Sequence, residues 1–377
     1  FGSRNSVAVG IHPCTMRWWL AVCLGLGQAA ERPYVLGRSH IGKDFFTSGR
    51  WTFFDGGDPT RGCTRYTNYE TASSLGLISA TEDRVYIGAD MSSKGSCQHS
   101  GVFVEGGEEV QCTGRYSVRV QSEETFNSGL FVIGLDHQPE GCGVWPAFWM
   151  DGTDGSHPWP SRGELDIVEG AHGQTATLST MHTTLECDVS AAEEGKHFSG
   201  AWARGRVGQL ADHCGIHYHS AFNGQGCSQK GPEGTMGSSF NAGGGGTFAM
   251  EWDPEAGHIS FWFWPRAQEP QDLVHKAPNP RSWGQPYSFF PLRNESCPTS
   301  RFQELRLIIN IAFCGRFGFP PTITFPEGST FHNRCPQIPT FCEEFVTMHP
   351  ESMKEAYWSI RLLDVYHRKD EEVVLFA

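Results

Sequence analysis

The sequence has no apolar run that reaches the ~20 residues of a membrane-spanning helix, and it has no cluster of Lys and Arg. A net charge of −13 at pH 7 without a basic cluster excludes the basic face that nucleic-acid binding requires. The sequence also lacks a Cys-x-x-Cys pair, which argues against a zinc ribbon, and it lacks an internal repeat. Only 19% of its residues are charged whereas 12% are aromatic, which indicates a folded protein and excludes a disordered one. Twelve Trp and 26 Phe fit a neutral, ring-bearing ligand better than a polyanion.

Residues 16–30 have the layout of a secretory signal peptide. Arg17 precedes a ten-residue apolar stretch, Trp18–Gly27, and the small residues Ala29 and Ala30 follow. The alternative is a buried N-terminal strand. We expect an upstream extension over residues 1–15, a signal peptide over residues 16–30, and secretion.

Cysteine usage indicates the same compartment. The chain has 13 Cys, and eleven of them, from Cys63 to Cys342, remain after the leader. That density, together with a glycosylation sequon at Asn294–Ser296, is typical of an oxidising, extracellular environment. Since eleven is odd, at least one thiol is free or pairs outside the chain.

Hydrophobic periodicity is mostly two, which predicts strands. Gly, Pro, Asn and Asp clusters separate short alternating runs, and these runs include Tyr116–Gln121, Gly129–Leu135, Trp145–Met150, Glu164–Glu169, Leu178–Thr183, Thr247–Trp252, Ile259–Trp264, Leu305–Phe313 and Tyr357–Tyr366. Many short strands with turn signals predict an all-β sandwich or barrel. No linker divides the chain, so we expect one domain over residues 31–367 and a charged C-terminal tail over residues 368–377. Long loops are expected at residues 151–163, 186–242 and 320–353.

One of these loops suggests a metal site. Residues 212–219 bring His217 and His219 close in sequence to Asp212, His213 and Cys214. The loop is polar and Gly-rich, however, so it fixes no ligand geometry, and a Cys in an oxidising compartment is more often disulfide-bonded. We expect no metal there.

The most informative segment is Gly163–Gly170. Side chains alternate along a strand, so Glu164 and Asp166 share one face while Leu165 and Ile167 pack on the other. A regular strand would turn Glu169 toward the apolar face, where a carboxylate is costly. One bulge at Ile167-Val168 would return it to the face of the other two acids.

Three carboxyls on one face can perform acid/base chemistry. Because the bulge takes up one residue, Glu164 and Glu169 are separated by about four strand steps, or roughly 13 Å along the backbone. If the two side chains lean toward each other, their carboxyl groups could reach the ~5–5.5 Å separation of a retaining glycosidase. Crowding raises the pKa of at least one carboxyl. Asp166 lies between the two and could hydrogen-bond Glu164. The alternative is a solvated acidic strand face, but Trp145, Trp149 and Trp159 lie close by in sequence, and aromatic rings beside acids are typical of a carbohydrate cleft.

The segments GELDIVEG, GVWPAFWM and Thr180–Thr183 together resemble glycoside hydrolase family 16, and most closely its fungal-type endo-1,3(4)-β-glucanases, or laminarinases. The resemblance extends over residues 34–366 and includes FFDGGDPTRG, GRYSVRVQS, FNAGGGGTFAMEW and AYWSIRLLDVY. It implies a β-jelly-roll sandwich of two antiparallel sheets with a concave substrate cleft.

The resemblance also implies roles for individual residues. Glu164 would be the nucleophile, Glu169 the acid/base and Asp166 the supporting acid. His182 would neighbour the acid/base and hydrogen-bond Asp166 or the sugar. The implied substrate-binding residues are Arg119, Trp145, Trp149, Trp159, His182 and Phe317. Cys187, Cys214, Cys227, Cys297 and Cys314 fall where family cysteines fall, with their pairing left open.

Cys314–Phe317 departs from the family pattern. The family usually reads Cys-Gly-Asp-Trp there, whereas this chain has Cys-Gly-Arg-Phe. A smaller ring at Phe317 and a reversed charge at Arg316 put that sugar subsite in doubt.

Three functions remain in competition. The first is a secreted, monomeric, retaining endo-glucanase that acts on β-1,3 or mixed β-1,3/1,4-glucan without a cofactor. The second is a non-catalytic β-glucan-binding protein, although Glu164 and Glu169 are both present. The third is a transglycosylase, against which the extra Val168 argues, because wall-remodelling relatives typically carry the unbulged pattern. A structural calcium ion on the convex face is left open.

Overall fold

The computed structural model describes residues 32–104, 107–205, 208–217, 224–315, 335 and 342–369, and it gives no side-chain placement for 99–110. The chain divides into Phe1–Arg32 and Pro33–Ala377, and the second unit holds every element below. The expected extension and signal peptide therefore lie outside the described residues.

The elements are, in chain order, β1 (Tyr34–Ser39), β2 (Trp51–Phe53), β3 (Thr64–Tyr66), α1 (Tyr69–Ser74), β4 (Ile78–Ala80), β5 (Val85–Gly88), β6 (Cys97–Val104), β7 (Gly107–Cys112), β8 (Arg115–Ser117), β9 (Arg119–Phe126), β10 (Gly129–His137), β11 (Val144–Asp151), β12 (Glu164–Glu169), β13 (Leu178–His182), β14 (Ala201–Trp202), β15 (Cys227–Lys230), α2 (Gly237–Ala242), β16 (Gly246–Asp253), β17 (His258–Pro265), α3 (Gln271–Val274), β18 (Ser288–Pro291), β19 (Leu305–Phe313), α4 (Cys342–Met348) and β20 (Tyr357–Arg368). Short 3₁₀ turns connect several of them.

Two antiparallel eight-stranded sheets form the sandwich. The first has the order β18-β17-β16-β10-β20-β5-β4, with β1 also paired to β20. The second has the order β14-β15-β13-β12-β11-β19-β9-β2. Sequence neighbours such as β10 and β11 lie in different sheets, and the final strand β20 returns to pair with β10. The prediction of a jelly-roll sandwich of two antiparallel sheets is confirmed.

The core lies between the two sheets. It combines Phe131 and Met250 from the first sheet with Phe148, Val168 and Ile309 from the second, all of them fully buried. The period of two along each strand sends the intervening residues to the opposite face. On β11 and β12 that opposite face carries the acids and the tryptophans.

The alternating runs Thr247–Trp252 and Ile259–Trp264 form a hairpin, β16 and β17. Its turn is closed by the Asp253 carboxylate, which accepts a hydrogen bond from Ala256 N at 2.8 Å, and by Gly257 at φ +72°.

Three expectations need correction. The segment 186–242 is not a loop throughout, because β15 lies within it and pairs with β13. The segment 320–353 is not a loop throughout either, because α4 occupies Cys342–Met348. Arg368 was assigned to a charged tail, but it lies in β20, where its guanidinium contacts Glu251 and Asp253 at 3.1 and 2.8 Å.

Five disulfides cross-link the sandwich: Cys97–Cys112, Cys142–Cys335, Cys187–Cys297, Cys214–Cys227 and Cys314–Cys342. Among the cysteines that the structure describes, Cys63 is the free, buried thiol. The odd thiol and the disulfide at Cys214 are therefore both as predicted. Pairs such as Cys187 and Cys297, which are 110 residues apart, close long loops and so restrict the unfolded chain strongly.

Candidate active site

Strand β12 carries the three predicted carboxylates in the middle of the second sheet. Phe148 of β11 pairs with Val168, but the next residue, Trp149, pairs with Asp166, so Ile167 is an extra residue. The same irregularity appears against β13, between Asp166 and Glu169. The predicted bulge is confirmed.

The bulge separates the side chains of β12 into two sets. Leu165, Ile167 and Val168 all join the core between the sheets. Glu164, Asp166 and Glu169 are 8%, 2% and 8% exposed. The alternative of a solvated acidic strand face is therefore wrong.

Two nitrogen atoms of the described residues lie close to the Glu164 carboxyl. The indole Nε1 of Trp159 donates a hydrogen bond to its Oε2 at 2.6 Å. The Nε2 atom of His182 lies 3.4 Å from its Oε1 and also 3.4 Å from Asp166 Oδ2. His182 is therefore close to Asp166, as the resemblance implied, and strand register places it opposite Glu164.

Glu169 has a different donor. The indole Nε1 of Trp145 donates to Glu169 Oε1 at 3.0 Å. Its backbone N–H donates to Thr177 Oγ1 at 3.1 Å, which fixes the end of the bulged strand. Each glutamate thus has its own tryptophan donor.

These surroundings raise the proton affinity of all three carboxyls. Burial, followed by Asp166, raises the pKa of Glu164 well above its ordinary value, while His182 and the Trp159 indole oppose the rise. Burial and then Asp151 raise the pKa of Asp166. Burial also raises the pKa of Glu169 to about 8, with Asp166 adding to the rise and His182 and Trp145 opposing it. Glu169 is therefore mostly protonated at neutral pH, and the three acids share protons as a coupled group.

Arg119 and Trp149 lie beside the acids on the same sheet. The Arg119 guanidinium stacks over the Trp149 ring, with its Cζ 4.9 Å from the centroid, and over Phe54 at 4.7 Å. Trp149 Nε1 donates to Asn310 Oδ1 at 2.6 Å, and Asn310 Nδ2 donates to Tyr66 Oη at 3.1 Å. The chain of contacts fixes the Trp149 ring.

Of the predicted sugar-contacting residues, Trp159 is the most exposed, at 42%. Phe317 and Arg316 lie outside the described residues. The substrate-binding roles and the 5–5.5 Å carboxyl separation stay predictions.

Two residues of the site were missed by sequence reasoning. Asn310 interrupts the apolar run of β19, and a polar residue in such a run is a usable signal. Asp151 alternates with Trp149 along β11, so its position on the same face could have been read from the period of two.

One imidazole nitrogen of His182 and one carboxyl oxygen each of Glu164 and Asp166 lie within 4.8 Å of one another. The imidazole is therefore placed to interact with both carboxyls. The structural calcium ion on the convex face, which the sequence left open, is not tested by the described residues.

A comparison with protein families places the chain in one of them. The family model described as the XgeA-like catalytic GH16 domain matches residues 51–366. The chain belongs to glycoside hydrolase family 16. As a member of family 16, it has the fold that the sequence resemblance implied.

The relatives of this family 16 chain are glucanases and glycosidases by name. A probable endo-1,3(4)-β-glucanase of Aspergillus fumigatus is 34% identical over 339 residues, which is 89% of this chain and 46% of the relative. A probable glycosidase of Schizosaccharomyces pombe is 32% identical over 89% of this chain and 70% of its own length. The chain thus spans about half the length of most of the curated relatives it matches.

Two solved structures of family 16 resemble the chain. Laminarinase 16A from Phanerochaete chrysosporium, with 6-O-glucosyl-laminaritriose in its donor and acceptor sites, has a TM-score of 0.71 at 30% identity, covering 89% of this chain and 99% of that one. An elongating family 16 β-1,3-glucosyltransferase has a TM-score of 0.69 at 30% identity, covering 89% and 100%.

Proposed function

We propose that this chain is a secreted, endo-acting, retaining glycoside hydrolase that cleaves β-1,3 or mixed β-1,3/1,4-glucan. The observation that carries the proposal is the group of three buried carboxyls on one face of β12, with a tryptophan indole bonded to each glutamate. The pKa of Glu169 is raised to about 8, which suits a general acid. Burial also raises the pKa of Glu164, but the Trp159 indole and His182 oppose that rise and so support the anion that a nucleophile requires.

In the proposed mechanism, the Glu164 carboxylate attacks the anomeric carbon and the glycosidic C–O bond breaks. Glu169 gives its proton to the leaving oxygen, and a glycosyl-enzyme forms. Glu169, now ionised, takes a proton from water, which attacks the same carbon and releases Glu164. Two displacements retain the anomeric configuration. Asp166 and His182 hold Glu164 in place and adjust its charge, and no step uses a metal or cofactor.

The expected substrate is a neutral glucan. Laminarinase 16A binds β-glucan oligosaccharides in donor and acceptor sites, and this chain aligns with 99% of it. Trp149 and Trp159 would stack on sugar rings, and Arg119 would hold the Trp149 ring. The expectation of a monomer remains part of the proposal.

Secretion is supported by the five disulfides and by the exposed sequon residue Asn294. In the described part of the chain, no helix is long and apolar enough to cross a membrane.

The test is release of reducing ends from laminarin and from barley mixed-linkage glucan, with sizing of the products. We expect oligosaccharides from the wild type and none from Glu164→Gln, with β-anomers forming first in the NMR spectrum. The ratio between the two glucans sets the linkage preference. No release from either glucan, with glucan binding retained, would show a binding protein and overturn the proposal.

Transglycosylation is the second candidate, because a similar structure is an elongating β-1,3-glucosyltransferase. Incubation with a laminari-oligosaccharide of one defined length separates the two reactions. A hydrolase gives only shorter products, whereas a transferase also gives products longer than the substrate.

A further inference from the structure

Asp151 is a fourth carboxyl residue beside the acids of β12. It is the last residue of β11, and strand register places it directly opposite Glu164. Directly opposed residues in an antiparallel pair project to the same face, about 4.5–5.5 Å apart at Cβ. The residue is 6% exposed. Asp151 therefore shares its buried surface with Glu164.

Neutral donors hold the Asp151 side chain in place. Its Oδ1 accepts hydrogen bonds from Thr153 N at 3.0 Å and from Thr153 Oγ1 at 2.8 Å. No cation of the described residues lies within ion-pair distance of it. A buried carboxylate without a paired cation affects neighbouring acids strongly, because the surrounding dielectric is low.

The charged groups around Asp151 come from four strands. Glu164 and Asp166 belong to β12, and His182 to β13. Arg119 of β9 favours the Asp151 anion, although burial outweighs it and raises the pKa of Asp151.

On β19, Arg306 is the cross-strand neighbour of Asp151. Its Nη1 donates to the carbonyls of Ser122 and Glu123 at 3.0 and 2.9 Å, and it lies 3.8 Å from the Glu123 carboxylate. Arg306 is therefore engaged elsewhere, and the effect of Asp151 falls mainly on the acids of β12.

We propose that Asp151 is a positioning residue whose negative charge sets the pH at which Glu164 becomes a nucleophile. The proposal rests on the proposed function for its catalytic consequence. Repulsion from Asp151 keeps a proton on the Glu164–Asp166 pair, so the site becomes active at a higher pH than it would without Asp151. Asp151 raises the pKa of both Glu164 and Asp166, so its removal should lower the pH at which Glu164 becomes ionised.

The test is Asp151→Asn, since an amide oxygen can still accept from Thr153. The acidic limb of the profile of kcat/KM against pH should move to lower pH. At a given pH on that limb, the variant should therefore keep a several-fold larger fraction of its maximal kcat/KM than the wild type keeps of its own. The alkaline limb, which reports Glu169, should not move. Asp154→Asn is the matched control, because Asp154 is an exposed carboxylate of the same loop. Its profile should match the wild type.

Thr153→Val is a second variant. Loss of the hydroxyl donor raises the pKa of Asp151, which then repels Glu164 less, so the acidic limb should move in the same direction by a smaller amount. An acidic limb that stays at the wild-type pH in both folded variants would overturn the proposal.

Thermal unfolding provides a measurement that needs no catalysis. Groups with a raised pKa stabilise the fold at acid pH, and the contribution is lost as the pH rises through the folded-state pKa. The fall in Tm between acid and alkaline pH should therefore be smaller in Asp151→Asn than in the wild type. Asp151 has a raised pKa of its own, so its effect on Glu164 is measured with a double-mutant cycle: Asp151→Asn should reduce the fall in Tm by different amounts in the wild type and in Glu164→Gln. Such a coupling in a protein with no glucanase activity would retain this inference and reject the proposed function. Equal reductions in both backgrounds, in an active enzyme, would do the reverse.

Discussion

The indole of Trp145 offers a direct test of how the general acid is adjusted. Trp145→Phe keeps an aromatic ring but removes the N–H that donates to Glu169 Oε1 at 3.0 Å. An N–H bond contributes ~1.5–3 kcal/mol to a charged acceptor and ~0.5–1.5 kcal/mol to a neutral one. Removing the indole N–H therefore destabilises the Glu169 carboxylate by about 1.4 kcal/mol more than it destabilises the protonated acid, which corresponds to about one pKa unit.

The direction follows from the role of the group. Losing a bond that favours the anion raises the pKa of Glu169 further, so the acid remains protonated to higher pH. The alkaline midpoint of kcat/KM on laminarin should move from about 8 to about 9, while the acidic midpoint stays in place. The assay is reducing-end release across a pH series.

Trp149→Phe is the matched control, because the Trp149 indole donates to the neutral amide of Asn310 instead of to a carboxylate. That variant should change KM and leave the alkaline midpoint at the wild-type pH. An alkaline midpoint that does not move in Trp145→Phe, or that moves down, would refute the assignment of Glu169 as the acid held by this indole.

Three further results are expected. Gly226→Ala should reduce kcat strongly, because Gly226 has φ +69° and a Cβ there would lie 2.7 Å from His182 Nδ1 and displace the imidazole. An unchanged kcat in a rate assay would show that catalysis does not depend on the position of His182. Removing the Cys187–Cys297 disulfide by a double Ala substitution should lower the free energy of unfolding by about 4–5 kcal/mol, since the disulfide closes a long loop. A loss below ~1 kcal/mol in urea titrations would show that loop closure is not how this disulfide stabilises the fold. Glu169→Gln should be more stable than the wild type at pH 9, with a free energy of unfolding larger by about 5 kcal/mol, because the raised pKa of Glu169 makes the wild type lose stability as the pH rises through about 8. An equal Tm of the two proteins at pH 9 would contradict this expectation.

The sequence by itself determined the local chemistry of β12. Alternation in Gly163–Gly170 assigned Leu165 to the core, and the cost of burying a lone carboxylate there required the bulge that the strand pairing contains. The same period of two predicted the all-β class. These conclusions follow from neighbours in sequence, because strand geometry repeats every two residues.

Only the tertiary structure decided what faces these acids from other strands. The place of His182 opposite Glu164, the place of Asp151 on the other side of it, and the support of Trp149 by Asn310 depend on register between β11, β12, β13 and β19. A shift of one residue would turn each side chain to the opposite face. The disulfide pairs were open for the same reason, since cysteines far apart in sequence meet only once both sheets are packed. Packing between strands, which no single segment specifies, thus determines the raised proton affinities of Glu164 and Glu169.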